Sequence, residues 1–478
     1  MSLVDVRPHP RQIAWQARET YAFLHVGMNT MTDAEWGTGA EDPAWFDPDD
    51  LDADAWIDAL ADAELTGVIL TAKHHDGFCL WPTRTTSHSV AASPWRGGRG
   101  DLVREVADAA RRRGLAFGVY LSPWDLNHPT YGQGAAYDDV YLAQLTELLT
   151  GYGPIFAVWL DGANGGTPQT YDWDRYYARV RELQPDAVIS VCGPDVRWCG
   201  NEAGHTRPQE WSVVPATLRD AERTASRSQT ADDGTFARLV RSDEEDLGSR
   251  AALEGVTDLV WYPAEVNTSI RPGWFHHPAE DALVRSGAEL FELYLAAVGG
   301  NATLLLNVPP DRHGRLAAPD VEALADLGRR IRALRASVLT ASVTASSSTL
   351  TLPDGVPAVA SAPHHTRARW SPGVAGTEPW WAADPADPEP TLRLVLEAPA
   401  RVHAFVLKEA IAHGQRVEDV VVLGRTAGEW RELARTTCVG YQRIVPVSGE
   451  VDAVEVRFTS NRAAPVLAGA AVLGTLTR

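Results

Sequence analysis

Residues Ile155-Phe156-Ala157-Val158-Trp159-Leu160 form an unbroken apolar run that stops at Asp161, followed by Gly162 and Ala163. A run that is apolar at every position has no solvated face, as in a parallel strand covered on both sides. A carboxylate inside such a strand would have to be desolvated. At the C-terminal end it can face a pocket instead, and β/α barrels carry their chemistry there. Asp161 is therefore the candidate reactive centre. The plainer reading is that it caps a helix or opens an Asp-Gly turn.

The pattern recurs. Apolar runs at 21–27, 67–71, 116–121, 187–191, 259–262 and 303–306 each lead into polar residues: His25, His74-His75, Asp125, Asp195, Glu265 and Asn307. Helical periodicity covers 52–65, 101–113, 137–152, 171–183, 281–298 and 321–334. Alternation of strand and helix, with polar residues just past the strands, predicts a TIM-type (β/α) barrel over residues 1–338. About seven strands are countable, so the barrel is expected to be irregular. From about Ser337 short Val/Leu alternations between Gly, Pro, Asp and Ser turns predict a C-terminal all-β sandwich over 339–478, with the junction at 340–362. The acidic stretch 232–246 is expected to be a mobile loop over the barrel mouth.

A length of 478 residues suits a barrel plus a smaller domain. The net charge of −20 argues against nucleic acid, anionic membrane and acidic polymers as partners. The 17 tryptophans suit a sugar-binding cleft, and equally a core. Cys79, Cys192, Cys199 and Cys438 are too scattered for a disulfide framework or a zinc knuckle and read as buried thiols. No signal peptide is visible, so the sequence as it stands reads as cytoplasmic; a removed leader would make the protein secreted. No apolar run approaches the roughly 20 residues of a membrane span.

His25, His74 and His75 all lie at strand ends. Their spacing is not the inward-facing His-x-His of zinc-dependent barrel hydrolases, and no Asp/His/Glu set completes a site, so no metal and no cofactor are expected. Neutral ring nitrogens that hydrogen-bond a polar ligand fit better. If Asp161 attacks a glycoside, a second carboxylate is needed. Glu202 lies in a glycine-flanked loop beside Trp198, Glu210 precedes Trp211, and Glu265 is nearer a strand end. Spacing does not choose among them.

These residues sit in motifs that resemble the family 29 α-L-fucosidases: "HVGMNT" at His25, "EWGTGAEDP" at Glu35, "TAKHHDGFCLWPT" at Thr71, "GVYLSPWD" at Gly118, "VWLDGANG" at Val158, "GPDVRWCGNEAG" at Gly193, "SIRPGWF" at Ser269 and "NATLLLNVPPDRHG" at Asn301. "GPDVRW", "GNEAG" and "SIRPGWF" look like the subfamily that acts on branched α-1,3/1,4-linked fucose. The segment at Leu407 is similar to the jelly-roll, carbohydrate-binding-module-like sandwich that accompanies it.

The resemblance implies fucosylated oligosaccharides or glycans as substrates. It implies Asp161 as nucleophile and Glu202 as acid/base, with Glu210 in reserve. His25, His74 and His75 would hold the sugar hydroxyls, and Tyr120 and Trp159 would supply aromatic contacts. Trp36 and Arg197 are further binding candidates. Trp81 or Phe78 is expected to wall the C5 methyl. Cys79, Cys199 and Asn164 depart from the family pattern and read as bystanders. Two alternatives stand beside this reading: a broad fucosidase acting on aryl fucosides and α-1,2 links, and a carbohydrate-binding protein on a dead barrel. Oligomeric state is not legible.

Overall fold

The computed structural model describes residues 2–165, 167–229, 245–349 and 379–475. After α1 (Pro10–Gln16) the chain runs β1 (Thr20–Leu24), α2 (Met28–Thr32), α3 (Ala53–Asp62), β2 (Gly67–Lys73), α4 (Leu102–Arg113), β3 (Ala116–Leu121), α5 (Ala135–Gly151), β4 (Ala157–Leu160), α6 (Trp173–Leu183) and β5 (Val188–Val191). Helices start where a carboxylate can take an orphan N–H. Asp52 accepts from Ala55 at 3.1 Å, Asp101 from Arg104 at 2.9 Å and Asp172 from Arg175 at 3.2 Å. Strands β1, β2 and β4 are buried at every residue, as unbroken apolar runs require.

Past β5 the alternation breaks. β6 (Arg197–Trp198) follows with no helix between. Next come β7 (Val213–Pro215), α7 (Ala221–Gln229) and β8 (Leu259–Trp261), then β9 (Ala264–Ser269), α8 (Gly287–Ala297), β10 (Ala302–Asn307) and α9 (Ala318–Ala336). The parallel sheet has eight strands in the order β5-β4-β3-β2-β1-β10-β9-β6. A single parallel bridge, Ser190 to Val196, links β5 to the approach of β6 and nearly closes the barrel.

Two expectations are corrected here. The run 259–262 is not a barrel strand: β8 pairs antiparallel with β7 in a separate two-stranded sheet. The barrel strand is β9, which pairs with β10 from Ala264↔Ala302 to Ser269↔Asn307. The helix expected over 281–298 starts late, because Ser286 and Glu289 form a capping box before Gly287 and residues 278–283 form a 3₁₀ turn. Of the acidic stretch 232–246, residues 232–244 lie outside the described residues.

From α9 the chain enters an antiparallel sheet: β11 (Ala341–Ala345), β12 (Trp381–Ala382), β13 (Thr391–Glu409), β14 (Val417–Thr426), β15 (Glu429–Thr437), β16 (Arg443–Asn461) and β17 (Val466–Gly474). Within the expected junction 340–362, β11 is thus already strand, and 350–362 lies outside the described residues. β13 and β16 each change partners along their length. The first half of β13 pairs with β11 and the end of β16, and the second half pairs with β17 and the start of β16. Register shifts mark the bend. The sheet folds over a core that includes Val343, Leu394, Phe405, Val422, Val456 and Val472. Ala404, Val406, Ile444, Ala471 and Leu473 from this domain pack into the barrel's own core. Among the described residues no helix is long and apolar enough to cross a membrane.

Candidate active site

A cavity of about 380 Å³ opens among the ends of the barrel strands. His25, His74, His75, Tyr120, Trp159, Asp161, Glu202 and Trp36 all line it.

Asp161 caps β4 with its two oxygens doing different things. Oδ1 accepts the Ala163 N–H at 2.8 Å, closing the turn that the plainer reading anticipated. Oδ2 accepts the Tyr120 hydroxyl at 2.9 Å and lies 3.9 Å from His75 Nε2. The turn orients the carboxylate, and Tyr120 and His75 mark its pocket side. Gly162 is needed because a Cβ there would lie 2.5 Å from the Ala225 Cα and 2.8 Å from Cys192 Sγ. Burial and the Asp161 charge raise the Tyr120 pKa well above its usual value, so the phenol remains a donor.

The three histidines are held in defined tautomers. His25 Nδ1 lies 2.8 Å from Asn307 Oδ1. Asn307 Nδ2 donates to Ser269 Oγ and to the Trp274 carbonyl, so Oδ1 must face His25 and accept its Nδ1–H. His75 Nδ1 lies 2.7 Å from Ser122 Oγ, whose own proton goes to the Trp124 carbonyl, so His75 also carries its proton on Nδ1. His74 is the reverse. Asn29 Nδ2 donates to the Glu35 carbonyl at 3.0 Å and to His74 Nδ1 at 3.3 Å, which leaves the proton on Nε2. Burial lowers the pKa of His25 and of His75 to about 4 and that of His74 well below its usual value, so all three are neutral near pH 7. The set offers two Nε2 acceptors and one Nε2–H donor.

The aromatic walls come from further along the chain. Trp159 is held by its indole N–H, which donates to Glu265 Oε1 at 2.8 Å. Glu265 also accepts the Tyr21 hydroxyl, and burial pushes its pKa up to about 7. Trp36 stacks on His75 with ring centroids 5.2 Å apart and is 42% exposed at the mouth. Trp274 and Phe275 pack edgewise or tilted on His25, 5.1 and 5.4 Å between centroids.

Glu202 is the tip of a tight turn. Asn201 Oδ1 accepts the Ala203 and His205 N–H groups, and its Nδ2 donates to the His205 carbonyl. Glu202 Oε2 accepts the Trp274 indole N–H at 3.0 Å. A third carboxylate of the cavity, Glu35, holds the segment opposite. It accepts the N–H groups of Trp274 at 2.5 Å and Phe275 at 3.2 Å, and His277 Nε2 lies 3.1 Å away. The hydrogen bond to Glu35 raises His277 to about 9.

Other named candidates lie elsewhere. Glu210 is buried between Arg197 Nη2 at 2.8 Å and Arg207 Nη1 at 3.0 Å. Burial pushes its pKa up, but the two guanidinium groups outweigh that and lower it, the opposite of a proton donor. Arg197 is spent on the same pair and does not line the cavity. Trp81 is buried with its indole N–H on Glu147 Oε2, so neither it nor Phe78 forms the apolar wall. Conversely, Asn164, read as a bystander, lines the cavity. Phe23, Glu35, Trp124, Trp274 and Phe275 line it too, and all but Phe23 sit inside motifs quoted above. Among the described residues no group of three or more His, Cys, Asp and Glu is placed to hold a metal ion.

Comparison with known proteins bears on the family and the fold. The model of the family described as alpha-L-fucosidase matches residues 15–333. The chain is 34% identical over 472 residues to Alpha-L-fucosidase 1 of Arabidopsis thaliana, covering 96% of this chain and 87% of that protein. Its fold superposes on the solved structure of SpGH29 with a TM-score of 0.80 at 32% identity, covering 98% of both chains. A GH29 fucosidase of Ruminococcus gnavus, solved in complex with fucose, gives 0.81 at 26% identity, covering 98% of this chain and 95% of that one.

Proposed function

The chain belongs to the α-L-fucosidase family, a family of glycoside hydrolases, and from that premise we propose that it is a retaining, exo-acting enzyme that removes α-1,3/1,4-linked L-fucose from Lewis-type oligosaccharides. The observation that carries the reading is one cavity lined by Asp161, Glu202 and three neutral histidines.

In the first step a bond forms between the Asp161 carboxylate and the anomeric carbon as the bond to the aglycone oxygen breaks. Glu202 gives its proton to that oxygen. In the second step Glu202 takes a proton from water, the water oxygen bonds to the anomeric carbon, and Asp161 leaves as a carboxylate. The hydrogen bonds from Ala163 N–H and Tyr120 orient Asp161 before substrate arrives. Its charge also stabilises the oxocarbenium character of the transition state. Glu35 is a poorer acid candidate, because its oxygens are already taken by the 274–277 segment.

Two acceptors and one donor suit sugar hydroxyls, each of which can both donate and accept. The apolar faces of Trp274 and Phe275, not Trp81, suit the C5 methyl. The fucose bound in the Ruminococcus gnavus relative supports a fucosyl ligand here. The motifs at Gly193 and Ser269 support the branched-linkage preference. Release of fucose from a Lewis-type trisaccharide against 2′-linked fucosyllactose tests it. Preference for the trisaccharide is expected; equal or better cleavage of the α-1,2 link would favour a broad-specificity enzyme.

A further inference from the structure

The turn that carries Glu202 belongs to the barrel, yet much of what holds the segment behind it does not. Within the segment, Arg207 Nη1 donates to the Cys199 carbonyl at 2.8 Å and pairs with Glu210, so residues 199–210 are drawn into a closed loop with Glu202 near its tip. The base of that loop rests on the C-terminal sheet. The Cys438 thiol donates to the Glu210 carbonyl at 3.0 Å. Gln415 Oε1 accepts the Ser212 N–H at 3.0 Å, while its Nε2 lies 3.3 Å from Cys438 Sγ. Arg443 donates to the Pro208 carbonyl at 2.8 Å. Asn301, at the start of β10, joins the two sides: its Nδ2 donates to the Glu210 carbonyl at 2.6 Å and its Oδ1 accepts the Tyr441 N–H at 2.7 Å.

The β15–β16 connection that makes these contacts is itself rigid. Cys438 and Gly440 have φ of 56° and 58°. A Cβ on residue 440 would lie 2.2 Å from the Asn301 side chain, so only glycine meets both demands. Glu409 Oε2 accepts the Gly440 N–H at 2.6 Å, and its Oε1 accepts those of Arg416 and Val417. Burial pushes the Cys438 thiol up to about 12, which keeps it a donor.

We propose that Gln415 and Cys438 of the C-terminal sheet are positioning residues for the general acid, bracing the 199–212 segment so that Glu202 meets the leaving oxygen. This rests on the assignment of Glu202 made above. The domain then acts in the chemistry without touching sugar. The sugar cradle is built from the barrel strand ends and their loops, and the brace touches none of it. A general acid acts only when it is within hydrogen-bond reach of its target, and small misplacements are costly.

The test compares Gln415→Ala and Cys438→Ala on three substrates: a Lewis-type trisaccharide, a phenyl fucoside and a dinitrophenyl fucoside. Both variants should lose roughly ten-fold or more in kcat on the first two, while the first chemical step on the dinitrophenyl substrate stays within about two-fold. KM should hold, the alkaline limb of the pH profile should shift, and Cys438→Ser, which keeps a donor, should recover activity. Should Gln415→Ala not give folded protein, Cys438→Ala, the smaller deletion, carries the test alone. Equal losses on all three substrates, or a lowered melting midpoint with unchanged kinetics, would overturn the proposal. Glu202→Ala run in parallel separates the two readings. If it shows the leaving-group signature and the brace variants do not, only this inference fails. If Glu202→Ala lacks the signature, the acid assignment fails and the inference falls with it.

Discussion

The two halves of the barrel present a carboxylate to the same cavity by opposite means. From β1 to β4 the strands are regular, Asp52 and Asp101 cap α3 and α4, and Asp161 sits directly on a strand end with both oxygens held by near neighbours. From β5 to β9 a two-residue strand, an antiparallel excursion and a long loop replace the repeat, and Glu202 is held by a local Asn201 turn and by Trp274. A nucleophile needs one fixed geometry, which a strand end supplies. A proton donor has to match the position of an aglycone, and a loop can be altered for that without rebuilding the barrel.

The largest effect should come from the rigid half. Asp161→Asn or Asp161→Gly should keep the fold and lower turnover by on the order of 10⁴-fold or more, the scale seen when a covalent nucleophile is removed. Azide should partly rescue the glycine variant as a β-fucosyl azide. Near-normal turnover would take Asp161 out of the chemistry. Glu202→Ala should cost about 10²- to 10⁴-fold on oligosaccharides and far less on an activated aryl fucoside. If both substrate types fall equally, the loop side is not the acid side. Glu210→Gln tests the buried hub. It leaves two guanidinium groups short of their partner and should destabilise by about 3–5 kcal/mol, read as an earlier denaturant midpoint. A folded, equally stable Glu210→Gln with the leaving-group signature would restore Glu210 as the acid.

Smaller effects should follow pH. His25 and His75 titrate near 4 in the fold against an ordinary 6.5, so the unfolded chain takes up protons first as pH falls. Stability should therefore decline from about pH 6.5 toward 4, whereas affinity for free fucose should hold until the pH nears 4, where a protonated Nε2 no longer accepts. Calorimetric titration with fucose from neutral pH down to about 4 checks this; affinity still unchanged where these histidines protonate would dismiss the acceptor role. His277 runs the other way. Raised to about 9 by Glu35, it contributes below 6.5 and loses that contribution as pH rises through 9. His277→Gln should flatten that alkaline decline in stability. The smallest expected change is none at all: dialysis against a strong chelator should leave activity intact, since the Nδ1 atoms of His25, His74 and His75 are occupied by Asn307, Asn29 and Ser122.

The same contrast explains what could be read from the chain. In the regular half, apolar runs mark strands; Asp161, His25, His74 and His75 come at their ends, and Tyr120 lies within β3. In the irregular half the signal inverts. β9 reads Ala264-Glu265-Val266-Asn267-Thr268-Ser269 and is buried at every position, but its polar side chains bond inside the barrel, Glu265 to Trp159 and Asn267 to Trp198. An apolar neighbour, 259–262, looks more like a strand and is not in the barrel. Trp274 and Phe275 enter the cavity from a loop fixed by Glu35, a contact across about 240 residues that no local pattern encodes. For Glu210, the nearby Arg207 was a legible warning; Arg197, the stronger partner, was visible only as a second charge in the same loop.

The contact from Cys438 to the Glu210 carbonyl joins residues 228 apart in the chain. A ribosome adding about 5–20 residues each second releases the β15–β16 connection roughly 10–50 s after the loop it supports. Every strand of the barrel is made before that moment, and the support for the loop that carries Glu202 is among the last parts to emerge. In a synchronised translation reaction, cleavage of an oligosaccharide should therefore lag cleavage of a dinitrophenyl fucoside. On the proposed roles, the order in which the chain is made becomes the order in which Asp161 and Glu202 come into use.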